Sequence, residues 1–299
     1  MATFSQMLAA ASIATNSSLC VGLDPDPSKF SKHYDGSPDG ITAFCKDTID
    51  AAEGLAFCFK PQIAYFAANR AESALEAVIE YIHSEQPGIP VILDAKRGDI
   101  GTTAEQYARE AFERYGADAV TLSPFLGPDS VEPYLRYDDK GLILLDWTSN
   151  PGSAVLQGRY TLLSVAEMKA IEEQLGEELS GQQLLIHDWL AYDIAHNWGI
   201  PPDRLGLVVG ATHPGGAQHI RRLAGPNPSL LIPGIGAQGG SEADAMAAWN
   251  GPGSVVVSAS RSILYPELNP GEDYLEGKRR AARTARDTLN AARPNLTTA

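Results

Sequence analysis

Residues 90–100 read Pro90-Val91-Ile92-Leu93-Asp94-Ala95-Lys96-Arg97-Gly98-Asp99-Ile100, an apolar run that ends in a D-x-K-x-x-D-I array. The run has strand character, and side chains on a strand alternate between its two faces. Asp94 and Lys96 then share one face, with Leu93 and Ala95 on the other. A carboxylate and an ammonium on the inner face of a strand need each other, water or a charged ligand, because an unpaired buried charge is costly. Core packing does not ask for such an array; catalysis does.

Seven more runs of strand character accompany this one, from Val91 to Lys96: Leu19 to Leu23, Phe57 to Lys60, Ala119 to Leu122, Leu142 to Trp147, Leu205 to Val209, Leu230 to Ile235 and Ser254 to Ser258. Helical segments lie between them, such as Ser73 to His83 and Thr102 to Tyr115. In both, the opening Ser or Thr is followed three residues later by glutamate, the spacing of a capping box. Near-continuous apolar strands alternating with amphipathic helices predict a parallel sheet covered by helices, and eight such units predict a (β/α)₈ barrel. A doubly wound open sheet is the rival. The interval from Trp147 to Leu205 has room for an additional helix, with Ser164-x-x-Glu167 and Gly181 to Trp198 as the starts and bodies of its helices. No linker-like tract interrupts the alternation, so one barrel domain over residues 1–299 is the simpler reading.

At 299 residues and 44% hydrophobic content the chain can bury a large core. Its formal charge of −14 argues against nucleic acid or an anionic membrane as a partner, so an anionic substrate would need a local basic pocket. Cys20, Cys45 and Cys58 are odd in number and lack C-x-x-C spacing, which suits reduced thiols in a cytoplasmic enzyme, Cys20 and Cys58 packing in the core. The Met7 to Ile13 stretch is mildly signal-like but has no basic residue before Lys29, so it reads as a first helix. No uncharged apolar run approaches the roughly 18 to 20 residues that span a bilayer. The sequons at Asn16 and Asn295 then carry little weight.

In a barrel, functional residues belong at the carboxyl ends of the strands. Asp24 follows the first run, Lys60 ends the second, Asp94 and Lys96 end the third, and Thr148-Ser149-Asn150 follow the fifth. Gly234-Ile235-Gly236 and Arg261 close the seventh and eighth. Gly234-Ile235-Gly236-Ala237-Gln238-Gly239 also matches the G-x-G-x-x-G dinucleotide fingerprint. Its context is wrong: Ala259 stands where a ribose-binding acid belongs, and too little chain follows for a Rossmann half. A phosphate-binding glycine loop, working with Arg261, fits better than that or a plain turn.

Arg97-Gly98-Asp99 spells a cell-adhesion tripeptide, but Asp99 is better explained by the charged array. The basic residues Lys278, Arg279, Arg280, Arg283 and Arg286 read as a solvated face of the last helix rather than a polyanion site. The six histidines show no metal-ligand spacing and read singly as packing or surface residues; no metal is expected. A lone strand-end lysine usually snorkels to solvent. Lys60, however, shares a face with Cys58 while Phe57 and Phe59 take the other, and strands two and three should be neighbours. Lys60 can therefore meet Asp94.

At these residues the chain resembles the orotidine 5′-phosphate decarboxylase family, in its longer type 2 subgroup. The resemblance runs through Cys20-Val-Gly-Leu-Asp-Pro25, Phe59-Lys-Pro-Gln62, Asp94-Ala-Lys-Arg-Gly-Asp-Ile-Gly-Thr-Thr103, Thr148-Ser-Asn-Pro-Gly152, Val209-Gly-Ala-Thr212, Pro233 to Gly239 and Ser260-Arg-Ser262. The D-x-K-x-x-D array alone is shared by a superfamily; the ordered set is specific. Arg97, where the better-studied branch has an aromatic residue, and a shorter loop after Gly236 depart from the pattern.

The resemblance implies a cofactor-free barrel enzyme converting orotidine 5′-monophosphate (OMP) to uridine 5′-monophosphate (UMP) and CO₂. Lys60, Asp94, Lys96 and Asp99 would be its Lys-Asp-Lys-Asp tetrad, with Lys96 the general acid. It implies a homodimer with shared sites, Asp99, Ile100 and Thr103 entering the partner's site. Asp24 would bind the ribose hydroxyls, Ser149 and Asn150 the pyrimidine edge, and Arg261, Gln238 and the backbone near Gly236 and Ser260 the phosphate. Two other readings stay open. A magnesium-dependent 3-keto-L-gulonate 6-phosphate decarboxylase would need a glutamate ligand where this chain has Lys60. A silent nucleotide-binding barrel would have no use for a general acid so placed.

Overall fold

The computed structural model describes residues 2–235 and 239–295. Its strands are Leu19–Leu23 (β1), Cys58–Pro61 (β2), Ile92–Arg97 (β3), Ala119–Leu122 (β4), Gly141–Trp147 (β5), Tyr160–Leu162 (β6), Gln183–Leu185 (β7), Leu205–Val209 (β8), Ser229–Pro233 (β9) and Val255–Ala259 (β10). Eight of them form one sheet in the order β2-β1-β10-β9-β8-β5-β4-β3, every pairing parallel. Single bridges from Phe59 to Val91 and from Gln62 to Asp94 join β2 to β3 and close the ring. This is the (β/α)₈ barrel, and each expected strand lies within two residues of an observed one at both ends.

The strands are apolar on both faces because both faces are covered. Leu19, Val21, Leu142, Leu144, Leu205, Leu207, Val255 and Val257 point outward and pack under the helices. Cys20, Cys58, Ile92, Ala119, Ile143, Val208, Leu231 and Val256 fill the lumen, where Phe57 joins them rather than taking the outer face. Phe57 precedes the strand, so its alternation does not apply. All three cysteines are buried and unpaired.

The amino-terminal helix, Phe4–Thr15, stoppers the bottom of the lumen with Phe4, Leu8 and Ala11. At Gly141, where β5 begins, an added Cβ would lie 2.3 Å from Phe4 Cδ1, so the stopper seats only against glycine. The opposite end is left open for chemistry.

Some local expectations are corrected. The helices Glu72–Glu85 and Gly101–Arg109 start one residue before Ser73 and Thr102, which therefore sit inside the first turn and cap nothing. The second helix runs on into a π-helical turn, Glu110–Arg114. Ser164 and Glu167 do form the capping box of the helix Val165–Leu175, and Ile186–Asn197 is the other helix of the long interval. The interval also holds an antiparallel ribbon of β6 and β7, whose three-residue strands carry no buried alternation to announce them. In the last helix, Tyr274–Ala291, Arg279, Arg280 and Arg283 are exposed, but Lys278 is fully buried. Its Nζ donates to Thr48 Oγ1 at 2.7 Å and lies 3.8 Å from the centre of the Phe44 ring.

Candidate active site

The upper end of β3 leaves regular pairing. Leu93 pairs with Val120 and Arg97 with Leu122, so the register slips across Asp94, Ala95 and Lys96. Lys96 adopts φ +47°, the left-handed region that side-chain-bearing residues rarely take. Simple alternation is therefore not what unites Asp94 and Lys96. The bulge turns the lysine back over the strand end, where its Nζ lies 2.5 Å from Asp94 Oδ1. Thr121 on β4 supports the turn through a hydroxyl that accepts from the backbone N–H groups of Ala95 and Lys96 and donates to Asp94 Oδ1.

Lys60 arrives from the other side. Its Nζ lies 2.9 Å from Asp94 Oδ2, so one carboxylate holds two ammonium groups. Burial works to raise the Asp94 pKa, but the charges and hydrogen bonds of Lys60 and Lys96 prevail and hold it well below the usual carboxylate range. Burial likewise opposes the charge on Lys60, and the nearby Asp94 and Asp24 carboxylates overcome it and raise its pKa above the ordinary lysine value. Lys96 differs in being half exposed, its side chain free to meet a ligand above the cluster.

A cavity of about 420 Å³ opens beside Lys60, bordered by Asp24, Lys29, Gly234, Ser260 and Arg261. Three cations around it supply the local basic pocket that the acidic chain as a whole denies. Asp24 Oδ1 is buried there without a hydrogen-bond partner among the described residues. Gly22 makes room at its floor: a Cβ would fall 1.9 Å from Ser260 Oγ.

Ser149 and Asn150 follow β5, with the Asn150 side-chain oxygen accepting from the Thr148 hydroxyl at 2.7 Å. Asp99 accepts from the backbone N–H of Ile100, and among the described residues no hydrogen bond or ion pair links it to Lys60, Asp94 or Lys96. Ile100 and Thr103 are exposed beside it. Gly236 and Gln238 lie outside the described residues. A larger, mostly apolar cavity of about 580 Å³ between Phe125, Leu156, Trp189 and Trp198 contains none of these residues.

Thr121, Lys29 and Tyr65 were not legible as site residues. Thr121 reads as one more β-branched strand residue, and Lys29 and Tyr65 lie in helical turns, Pro27–Lys29 and Ile63–Ala67, too short to show a periodicity.

Barrel and charged cluster together define a (β/α)₈ enzyme with a basic, charge-paired site at the carboxyl ends of its strands. The chain belongs to the orotidine 5′-phosphate decarboxylase / HUMPS family, whose model matches residues 17–276. A relative from Variovorax paradoxus (strain S110), named orotidine 5′-phosphate decarboxylase, is 50% identical over 293 residues, covering 98% of this chain and 100% of its own. Among solved structures, Leishmania donovani UMP synthase matches with a TM-score of 0.76 at 32% identity, over 98% of this chain and 57% of that one. Leishmania donovani OMP decarboxylase matches with a TM-score of 0.75 at 30% identity, over 97% of this chain and 98% of that one.

Proposed function

We propose that the chain decarboxylates OMP to UMP in pyrimidine biosynthesis, with Lys60, Asp94 and Lys96 of one subunit and Asp99 of the other forming each site of a homodimer. The observation that carries the chemistry is the single buried carboxylate of Asp94 held between two ammonium groups, one of them half exposed.

Breaking the bond from C6 to the carboxylate leaves an electron pair on a carbon with no conjugated sink. Lys96 meets this in two ways: its charge stabilises the carbanion, and its ammonium donates the proton that C6 takes up. The neutral amine then recovers a proton from solvent. Asp94 keeps Lys60 charged, pairs with the Lys96 ammonium and repels the departing carboxylate, a ground-state effect secondary to the role of Lys96. Asp24 binds the ribose hydroxyls; its unpartnered buried oxygen suits that. Ser149 and Asn150 read the pyrimidine edge, and Arg261 with Ser260, Gly236 and Gln238 holds the phosphate, whose binding energy is available to close the site. What supports the homodimer is Asp99, whose carboxylate among the described residues is hydrogen-bonded only to the backbone N–H of Ile100, with Ile100 and Thr103 turned to the surface.

The magnesium-dependent sugar-phosphate reading is disfavoured by Lys60, whose buried ammonium occupies the place of a metal-ligating carboxylate and would repel Mg²⁺. The test is incubation of the protein with OMP in excess EDTA, following loss of ultraviolet absorbance and identifying UMP. Rapid conversion is expected. Folded protein that leaves OMP unchanged, but acts on the keto-sugar phosphate once Mg²⁺ is added, would overturn the reading.

A further inference from the structure

The Lys96 backbone needs an explanation. A lysine at φ +47° is strained, and the strand around it has given up regular pairing. Such a conformation persists only where its surroundings over-determine it. A single buried side chain, Thr121, does this.

Thr121 Oγ1 lies 3.0 Å from the Ala95 nitrogen, 2.9 Å from the Lys96 nitrogen and 3.0 Å from Asp94 Oδ1. A hydroxyl has two lone pairs and one proton. Both lone pairs are taken by backbone N–H groups, so the proton is directed to Asp94. One side chain thus pins the peptide that carries Lys96 and orients the carboxylate that receives its ammonium. Valine has the same shape and could do neither.

We propose that Thr121 is a positioning residue for decarboxylation: its hydroxyl holds the bulge that aims Lys96 and fixes the rotation of Asp94. The inference rests on Lys96 being the general acid. It predicts a kinetic signature, because the cavity that takes the ribose and phosphate does not touch Thr121. Loss of the hydroxyl should slow the chemical step and leave nucleotide binding alone.

The experiment compares Thr121→Val, Thr121→Ser and Lys96→Ala in kcat with OMP and in Kd for UMP. For Thr121→Val, kcat should fall roughly 10- to 100-fold, the scale of an ångström-sized misplacement, with Kd within about twofold. Thr121→Ser, which keeps the hydroxyl, should recover most of the loss. Parental kcat in Thr121→Val while Lys96→Ala is inactive overturns the proposal. So does a serine variant as slow as valine, which would assign the effect to the methyl group, or a defect in Kd alone. Parental turnover in Lys96→Ala would instead overturn the general-acid assignment. Should valine prevent folding, Thr121→Ala is judged by the same split between kcat and Kd.

Discussion

The Lys60 ammonium and the Asp94 carboxylate, on adjacent strands and each less than a tenth exposed, sit 2.9 Å apart at the mouth of the barrel. Among the described residues Asp94 is the one hydrogen-bond partner of the Lys60 ammonium, and a buried ion that loses its partner costs several kcal/mol. The pair's pKa directions carry a sign. Asp94 is depressed, so its contribution is complete above about pH 4, the unfolded value, and is lost only as pH falls further. Lys60 is raised, so its contribution is complete below about pH 10 and is lost above it.

Asp94→Asn should therefore destabilise the fold by about 3–5 kcal/mol, the scale of a broken buried pair, and by a similar amount at pH 5, 7 and 9. Urea denaturation at the three values measures this. A penalty that shrinks steeply within that range would mean that the pair is not ionised throughout.

The proposed sharing of sites between subunits makes a complementation prediction. Lys96→Ala and Asp99→Ala should each lower kcat by at least ~10²-fold, the low end for losing a general acid. Mixing the two inactive proteins under subunit exchange should restore part of the activity, because some hybrid sites contain both native groups. Absence of recovery in verified heterodimers would return Asp99 to its own subunit's site or remove it from catalysis.

How far the sequence could be read depends on what each feature requires. The eight strands were legible because burial on both faces forces continuous apolar runs, and the meeting of Lys60 with Asp94 because the second and third strands of a barrel must be neighbours. The bulge at Lys96 was not, since a positive φ on lysine leaves no compositional mark and its support, Thr121, looks like an ordinary strand residue. Lys278 misled for a related reason: helical periodicity places it among arginines, whereas its neighbours in space are Phe44 and Thr48 on a helix more than 200 residues earlier.

A second buried acid stands outside the proposed chemistry. Asp146 is 1% exposed, neither of its carboxylate oxygens has a hydrogen-bond partner among the described residues, and burial, reinforced by the charge of Asp188, pushes its pKa well above the usual carboxylate value. A raised carboxyl costs nothing well below about pH 4, where folded and unfolded chains are both protonated, and costs progressively more as pH rises from there towards its folded value. Asp146→Asn keeps the shape without the charge. It should raise the thermal midpoint at pH 8 by several degrees, since about 1 kcal/mol corresponds to roughly 2 °C, the low end of the range for chains of somewhat smaller size, and change it little at about pH 3. Calorimetry at both values decides; equal shifts would show that charge burial is not the cause.

Lys278 gives the opposite slope. Burial lowers its pKa to about 8, below the value of about 10.4 for a lysine in an unfolded chain. Between these values the unfolded chain binds a proton that the folded chain has released, so this group makes stability rise with pH across the window and penalises folding most below it. Thr48 and the Phe44 ring offset part of that cost while the ammonium is charged. Lys278→Met preserves the length of the side chain and removes the titration. The difference in urea midpoint between parent and variant should therefore shift in favour of the parent between pH 7 and pH 10, by up to roughly 3 kcal/mol in free energy. A difference independent of pH would mean that the ammonium stays charged throughout, held by its aromatic neighbours against the cost of burial.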